Sequence, residues 1–239
     1  MYPIKMPSFD FKNKSVIITG AGSGIGRAAA MEFANYGASV AVADIELERA
    51  ERVVNMIKEN EGRAIAVRVD ISKPEDVEQM MQAVESAFGG VDILIANAGI
   101  GGATLPLLSQ PVEEFDRVIA VNLRGAYICC TAAAERMIKQ GRGGRIVLTS
   151  SIAAIEGGGN HGPYGAAKGA LCSLVRTMGR EWAEYKITVN AVCPGLTDTG
   201  ISEALKDNPQ QMSAMLAKIP LGRMARPEEI ASLMLYLST

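Results

Sequence analysis

The sequence has one histidine, one tryptophan and four cysteines among its 239 residues. A metal site built from several imidazoles is excluded, since His161 stands alone. No Cys-x-x-Cys pair occurs, and the neighbours Cys129 and Cys130 are poorly placed to bridge each other. All four cysteines, with Cys172 and Cys193, sit among apolar or small residues, which reads as reduced, buried thiols in a cytoplasmic protein. No run of about 18 apolar residues exists, so no membrane span is expected. The opening MYPIKMPSFDFKNKS lacks the apolar stretch of a secretion signal. Neither charge sign dominates. Lys and Arg total 24 against 26 Asp and Glu, so the basic footprint of a general nucleic-acid binder is absent.

What is present is an ordinary globular composition, 48% hydrophobic. A chain of this length buries about 70–75% of its unfolded surface and needs no staple. Short apolar runs alternate with longer amphipathic segments. Strands are expected at 15–19, 39–43, 64–69, 91–96, 145–149 and 187–192. Helices are expected at 24–36, from Leu47 through Ile57, after Ser72, and at 112–139, 165–185, 201–216 and 227–237. Gly37 and Gly62 read as helix stops, and Ser72 as a cap with Pro74 in the first turn. This order predicts an α/β fold: a doubly wound parallel sheet flanked by helices, Rossmann-like, in one domain. Residues 1–14 read as an extension and 15–239 as the domain. In such sheets ligands bind beyond the carboxyl ends of the strands.

The turn after the first strand is Thr19-Gly20-Ala21-Gly22-Ser23-Gly24-Ile25-Gly26. Between a strand and a helix, glycines let the backbone approach a pyrophosphate, and the helix N-terminus supplies donors. The spacing is TGxxxGxG, not the more general GxGxxG. Asp44 ends the second strand, 24 positions past Gly20 and near the offset of about 20 for a ribose-binding carboxylate. It would accept from a 2′-hydroxyl and repel a 2′-phosphate, and neither Ser23 nor Ile45 is basic. That favours NAD over NADP. The plainer role for Asp44 is to cap the next helix.

Tyr164 and Lys168 are four apart, on one helix face. An ammonium there favours a phenolate and would make the tyrosine a proton donor or acceptor; the plain alternative is two surface side chains. Ser150 and Ser151 end the fifth strand, Asn97-Ala98-Gly99 follows the fourth, and Asn122 interrupts an apolar stretch. Together the motifs TGAGSGIG, Asp44, Asp70-Ile71, NAG, Asn122, TSS, YGAAK and PGLTDT resemble those of the short-chain dehydrogenase/reductases of compact, single-domain type. The likeness runs from about Lys14 to the end.

The resemblance implies a hydride-transferring oxidoreductase with roles for particular residues. Tyr164 would be the acid and base, Lys168 its tuner, Ser151 the group that orients the substrate oxygen, and Asn122 the holder of a water leading to Lys168. The cofactor would lie against Gly20, Ser23, Gly24, Ile25, Gly26, Asp44, Asp70, Ile71, Asn97, Ala98, Gly99, Tyr164, Lys168, Pro194, Gly195, Thr197 and Thr199. It also implies a small alcohol or ketone substrate, a homotetramer formed through the long helices, and no metal. The family continues into a final strand and Gly-containing tail, whereas this sequence stops at Thr239, within what reads as its last helix.

Three functions follow. The first is an NAD(H)-dependent dehydrogenase of a secondary alcohol or diol. The second is a 3-oxoacyl-thioester reductase, with Arg142 and Arg180 as possible contacts for an acidic carrier. The third is a catalytically silent NAD(H)-binding protein, against which the intact Asn122, Ser151, Tyr164 and Lys168 argue. His161 and Asn160 are either part of the substrate wall or a solvated loop, and Met212, Met215 and Leu216 either a lid or core.

Overall fold

The computed structural model describes residues 9–202 and 207–239. Six strands, β1 (Ser15–Thr19), β2 (Ser39–Asp44), β3 (Arg63–Arg68), β4 (Ile93–Ala96), β5 (Gly144–Thr149) and β6 (Ile187–Val192), form one sheet in the order β3-β2-β1-β4-β5-β6. Every pairing is parallel. The helices are α1 (Gly24–Asn35), α2 (Leu47–Glu59), α3 (Pro74–Phe88), α4 (Val112–Ile119), α5 (Ala126–Gln140), α6 (Ala153–Glu156), α7 (Gly162–Glu181), α8 (Pro209–Leu216) and α9 (Pro227–Leu237). The fold is the single, doubly wound domain expected.

The central strands β1 and β4 are apolar on both faces because both faces are covered. In β1, Val16 and Ile18 face a core shared with Phe33 of α1 and Met234 of α9. Ile17 faces the opposite core with Met80 and Met81 of α3 and Met137 of α5. Phe11, ahead of β1, is buried edge-on against Phe33. The chain reverses its winding direction between β1 and β4, which opens a crevice at their carboxyl ends.

Local details differ from the sequence reading. The Ser72 hydroxyl donates to Asp70 Oδ1 at 2.7 Å, and α3 begins at Pro74 with no side-chain cap from Lys73. The left-handed turn after α2 falls at Glu61 (φ 60°), while Gly62 packs on Ile57. Between α4 and α5 the chain makes a π-helical turn, Ala120–Gly125, around Asn122. The last helix, Pro227–Leu237, has the bounds expected, and Ser238 and Thr239 lie just beyond it. The helix expected at 201–216 is a short 3-10 turn at Gly200–Ser202 and then α8; its stretch 203–206 lies outside the described residues. Residues 1–8 of the expected N-terminal extension lie outside them too. The cysteines are not uniformly buried. Cys129 and Cys130 are, Cys172 is half-buried and Cys193 is exposed, because Cys193 lies just beyond edge strand β6.

Candidate active site

One side chain ties three strand ends together at the crevice. Asn97 Nδ2 donates to the carbonyl oxygens of Thr19 (3.0 Å) and Gly20 (3.3 Å). Its Oδ1 accepts from the Thr149 hydroxyl at 3.1 Å. The Thr19 hydroxyl in turn accepts from the N–H groups of Asn97 and Ala98, both at 3.1 Å. Thr19 and Thr149 thus hold the crevice floor, a role the sequence reading missed. Its signal was a hydroxyl at the end of each of two apolar strands.

The glycine-rich turn runs along this floor. Gly20 has φ 64°, and a Cβ there would lie 2.8 Å from Ala98 Cα. A Cβ on Gly26 would strike the Gly20 carbonyl oxygen and lie 2.7 Å from Asn97 Nδ2. Only glycine lets the turn lie this close to its neighbours. Ser23 precedes α1 in extended backbone and makes no side-chain cap, and no acidic residue occupies the first turn. The first N–H groups of α1, at Gly24, Ile25 and Gly26, therefore lack a side-chain acceptor from their own cap. That donor set, beside a glycine-only surface, fits the pyrophosphate of a dinucleotide.

Asp44, almost fully buried, closes the second strand. Its Oδ2 accepts from Gly22 N at 2.9 Å and its Oδ1 from Glu46 N at 3.1 Å. The carboxylate therefore braces both the glycine turn and the approach to α2. Asp70 and Ile71 lie at the corresponding end of β3. Asp70 Oδ1 also accepts Ser72 N at 3.0 Å, and Ile71 is buried against Gly125.

Tyr164 lies in the first turn of α7, with Lys168 one turn on. Lys168 is 3% exposed, and its Nζ donates to the Thr149 carbonyl at 2.7 Å. The same Nζ stands 5.6 Å from the centre of the Tyr164 ring. Burial lowers the Lys168 ammonium to about 8. Burial raises the Tyr164 phenol above its ordinary value, opposed by a hydrogen bond with the Ser151 side chain. The expected depression of Tyr164 by Lys168 is not found. The ammonium is spent on Thr149 and sits over the ring, so desolvation wins.

Ser151 Oγ also accepts Ala153 N at 3.1 Å. Ser150 points away, donating to the Lys168 carbonyl oxygen at 2.8 Å. Asn122 closes the far side. Its Oδ1 and Nδ2 each bond the backbone of Ile100, both at 2.8 Å. A Cβ on Gly99 would lie 3.1 Å from Asn122 Oδ1 and 3.3 Å from Lys168 Nζ, so these three residues converge.

Beyond β6, Pro194 accepts Ile152 N at 3.0 Å, which links this loop to Ser151. Thr197 Oγ1 donates to Gly195 O at 3.0 Å, and the Thr199 methyl faces Gly24. The buried Ser202 hydroxyl, unforeseen from sequence, bonds the carbonyls of Thr197 (2.9 Å) and Thr199 (2.8 Å). On the rim, His161 Nε2 lies 3.3 Å from Thr104 Oγ1. Arg142 Nε donates to Asp92 at 2.8 Å, and its side chain stays about half exposed. Among the described residues no cluster of metal-binding side chains exists, and no helix is long and apolar enough to cross a membrane.

The family model described as enoyl-(acyl carrier protein) reductase matches residues 20–239. An uncharacterized oxidoreductase of Thermotoga maritima is 39% identical over 234 residues, 95% of this chain and 90% of that protein. A 2,5-dichloro-2,5-cyclohexadiene-1,4-diol dehydrogenase of Sphingobium indicum is 37% identical over 229 residues, 95% of this chain and 90% of that protein. The crystal structure of a short-chain type dehydrogenase/reductase from Mycobacterium marinum superposes with TM-score 0.91 at 37% identity, covering 97% of this chain and 90% of that one. A 3-ketoacyl-(acyl-carrier-protein) reductase from Brucella melitensis complexed with NADH gives 0.87 at 34% identity, covering 95% and 91%.

Proposed function

Since the chain belongs to the short-chain dehydrogenase/reductase family, we propose that it is an NAD(H)-dependent enzyme interconverting a small secondary alcohol or diol and its ketone. The observation that carries this is the convergence of Ser151, Tyr164 and buried Lys168 beside a glycine-only turn. Residues 15–239 form the catalytic domain. The dinucleotide would rest on Gly20, Ser23, Gly24, Ile25, Gly26, Asp44, Asp70, Ile71, Asn97, Ala98, Gly99, Pro194, Gly195, Thr197 and Thr199, with Tyr164 and Lys168 at its nicotinamide end. Bound there, it would supply the hydride exchange with the substrate carbon.

The chain's own residues manage the proton. The Tyr164 hydroxyl gives it to the carbonyl oxygen in reduction, and its phenolate takes it from the alcohol in oxidation. The raised pKa keeps the phenol protonated at neutral pH, the form that reduction needs. The Ser151 hydroxyl orients the substrate oxygen. Lys168, its Nζ held by the Thr149 carbonyl, would donate to ribose hydroxyls. Asn122 holds a water between Lys168 and solvent. Each of its polar atoms has one hydrogen-bond position left beyond the bonds to Ile100.

Asp44 supports NAD over NADP. A 2′-phosphate would bring a second anion beside a buried carboxylate. Free thiols suit a cytoplasmic setting. The exposed Leu108, Val112, Phe115 and Tyr127 near the long helices suit a homo-oligomer, a tetramer by family likeness. The similarity to an NADH-bound 3-ketoacyl carrier reductase favours a second reading, a 3-oxoacyl-thioester reductase. The test is absorbance at the reduced-nicotinamide band, with NAD and NADP run separately over alcohols, diols, sugars, ketones and a 3-oxoacyl thioester. Turnover of a diol or alcohol with NAD supports the first reading. Turnover of the thioester alone replaces it with the second.

A further inference from the structure

Two thiols that the proposed chemistry does not use lie directly behind it. Cys172 is on α7, four residues after Lys168 and so on the same helix face. Cys193 follows β6 and is exposed. Their sulfurs are 3.9 Å apart. Both touch the segment that carries the substrate-orienting serine. Ser150 Oγ lies 3.3 Å from Cys172 Sγ and also donates to the Lys168 carbonyl. The Ser150 side chain and the Ser151 backbone both pull the Cys193 thiol down against its burial. The next residue, Pro194, accepts the Ile152 N–H. The thiol pair thus sits where α7, the end of β6 and the Ser150–Ile152 segment meet.

We propose that Cys172 and Cys193 are a peroxide-oxidisable dithiol whose disulfide displaces Ser151 and slows the enzyme. Cys193, the exposed partner, attacks the peroxide O–O bond. It becomes a sulfenic acid, and one oxygen leaves as water. The Cys172 thiolate then displaces hydroxide from that sulfur, and the hydroxide takes up a proton to leave as the second water. Two thiols lose two electrons and two protons, and one peroxide becomes two waters. The sulfurs must close from 3.9 Å to about 2.0 Å. The movement falls on the hydrogen bonds to Ser150 and Ser151. Burial and the neighbouring Cys172 push the Cys193 thiol above its ordinary range, so oxidation speeds up as pH rises. Cys129 and Cys130 are no rivals: burial pushes Cys129 up to about 12 and Cys130 well above its ordinary range.

The crosslink stands on sulfur geometry alone, whereas its effect on turnover rests on the role of Ser151 proposed above. The test treats the purified protein with hydrogen peroxide and maps its peptides without reductant, beside turnover and NADH binding. The expected result is a 172–193 disulfide, turnover lowered about tenfold or more, and recovery with dithiothreitol. Cys193→Ala and Cys172→Ala should keep basal turnover and become insensitive. A sulfinic or sulfonic acid at Cys193 without the crosslink overturns the proposal, as does no modification at all. A crosslink with unchanged turnover overturns the coupling to Ser151 while leaving Tyr164 to be judged by its own variant.

Discussion

Lys168 Nζ lies 2.7 Å from the backbone carbonyl oxygen of Thr149, so the last residue of β5 fixes the ammonium that stands over Tyr164. Thr149 also reaches Asn97 through its hydroxyl. One residue therefore joins the floor under the glycine turn to the helix that carries Tyr164, the proposed proton donor. The proposed cofactor cradle and proton site share a single support, and the sheet sets their spacing.

The buried ammonium lowers stability. Lys168 falls from 10.5 to about 8 on folding. Between those values the unfolded chain binds the extra proton, so stability rises with pH across that window. Below it the full penalty, about 3 kcal/mol, is present. Lys168→Met removes the penalty but strands the Thr149 carbonyl, at about 1–2 kcal/mol. The variant should be inactive yet more stable by about 1–2 kcal/mol at neutral pH. The gain should vanish near pH 10. Urea unfolding at both pH values checks this, and a variant less stable at neutral pH contradicts it.

Asp44→Asn should shift cofactor choice. The amide keeps the size of the side chain that holds Gly22 N and Glu46 N but removes the charge that opposes a 2′-phosphate. The ratio of kcat/KM for NADP over NAD should rise at least about tenfold, or ~1.4 kcal/mol. An unchanged ratio would leave Asp44 as a structural brace only.

Gly20→Ala separates close approach from backbone strain. Gly20 combines φ 64° with a Cβ position 2.8 Å from Ala98 Cα, whereas Gly141 has φ 71° and open space around it. Gly141→Ala should destabilise by about 1–2 kcal/mol with normal NADH affinity. Gly20→Ala should destabilise by about 3 kcal/mol or more and weaken NADH binding at least about tenfold. Equal effects in thermal melts and NADH titrations would show that contact with Ala98 is unimportant.

The six strands, most of the helices and the crevice were legible because strand and helix periods are local, and the winding rule turns them into a place. Tyr164 and Lys168 were legible for the same reason, four residues on one helix. What escaped was set by partners distant in sequence. Lys168 faces Thr149 rather than lowering Tyr164, and Ser72 serves Asp70 rather than the helix. Asn122 was seen as a polar interruption, but only the fold shows that its amide clasps Ile100. Cys193 looked buried because its neighbours are apolar, yet it follows an edge strand.

The central claim is that Tyr164 carries the proton. Tyr164→Phe keeps the ring beside Lys168 and removes only the hydroxyl. The decisive measurement is its turnover with NADH and the best ketone of the panel, beside its NADH affinity. The account predicts turnover reduced by about 10²–10⁴-fold with affinity unchanged. Near-normal turnover with intact NADH binding would contradict it.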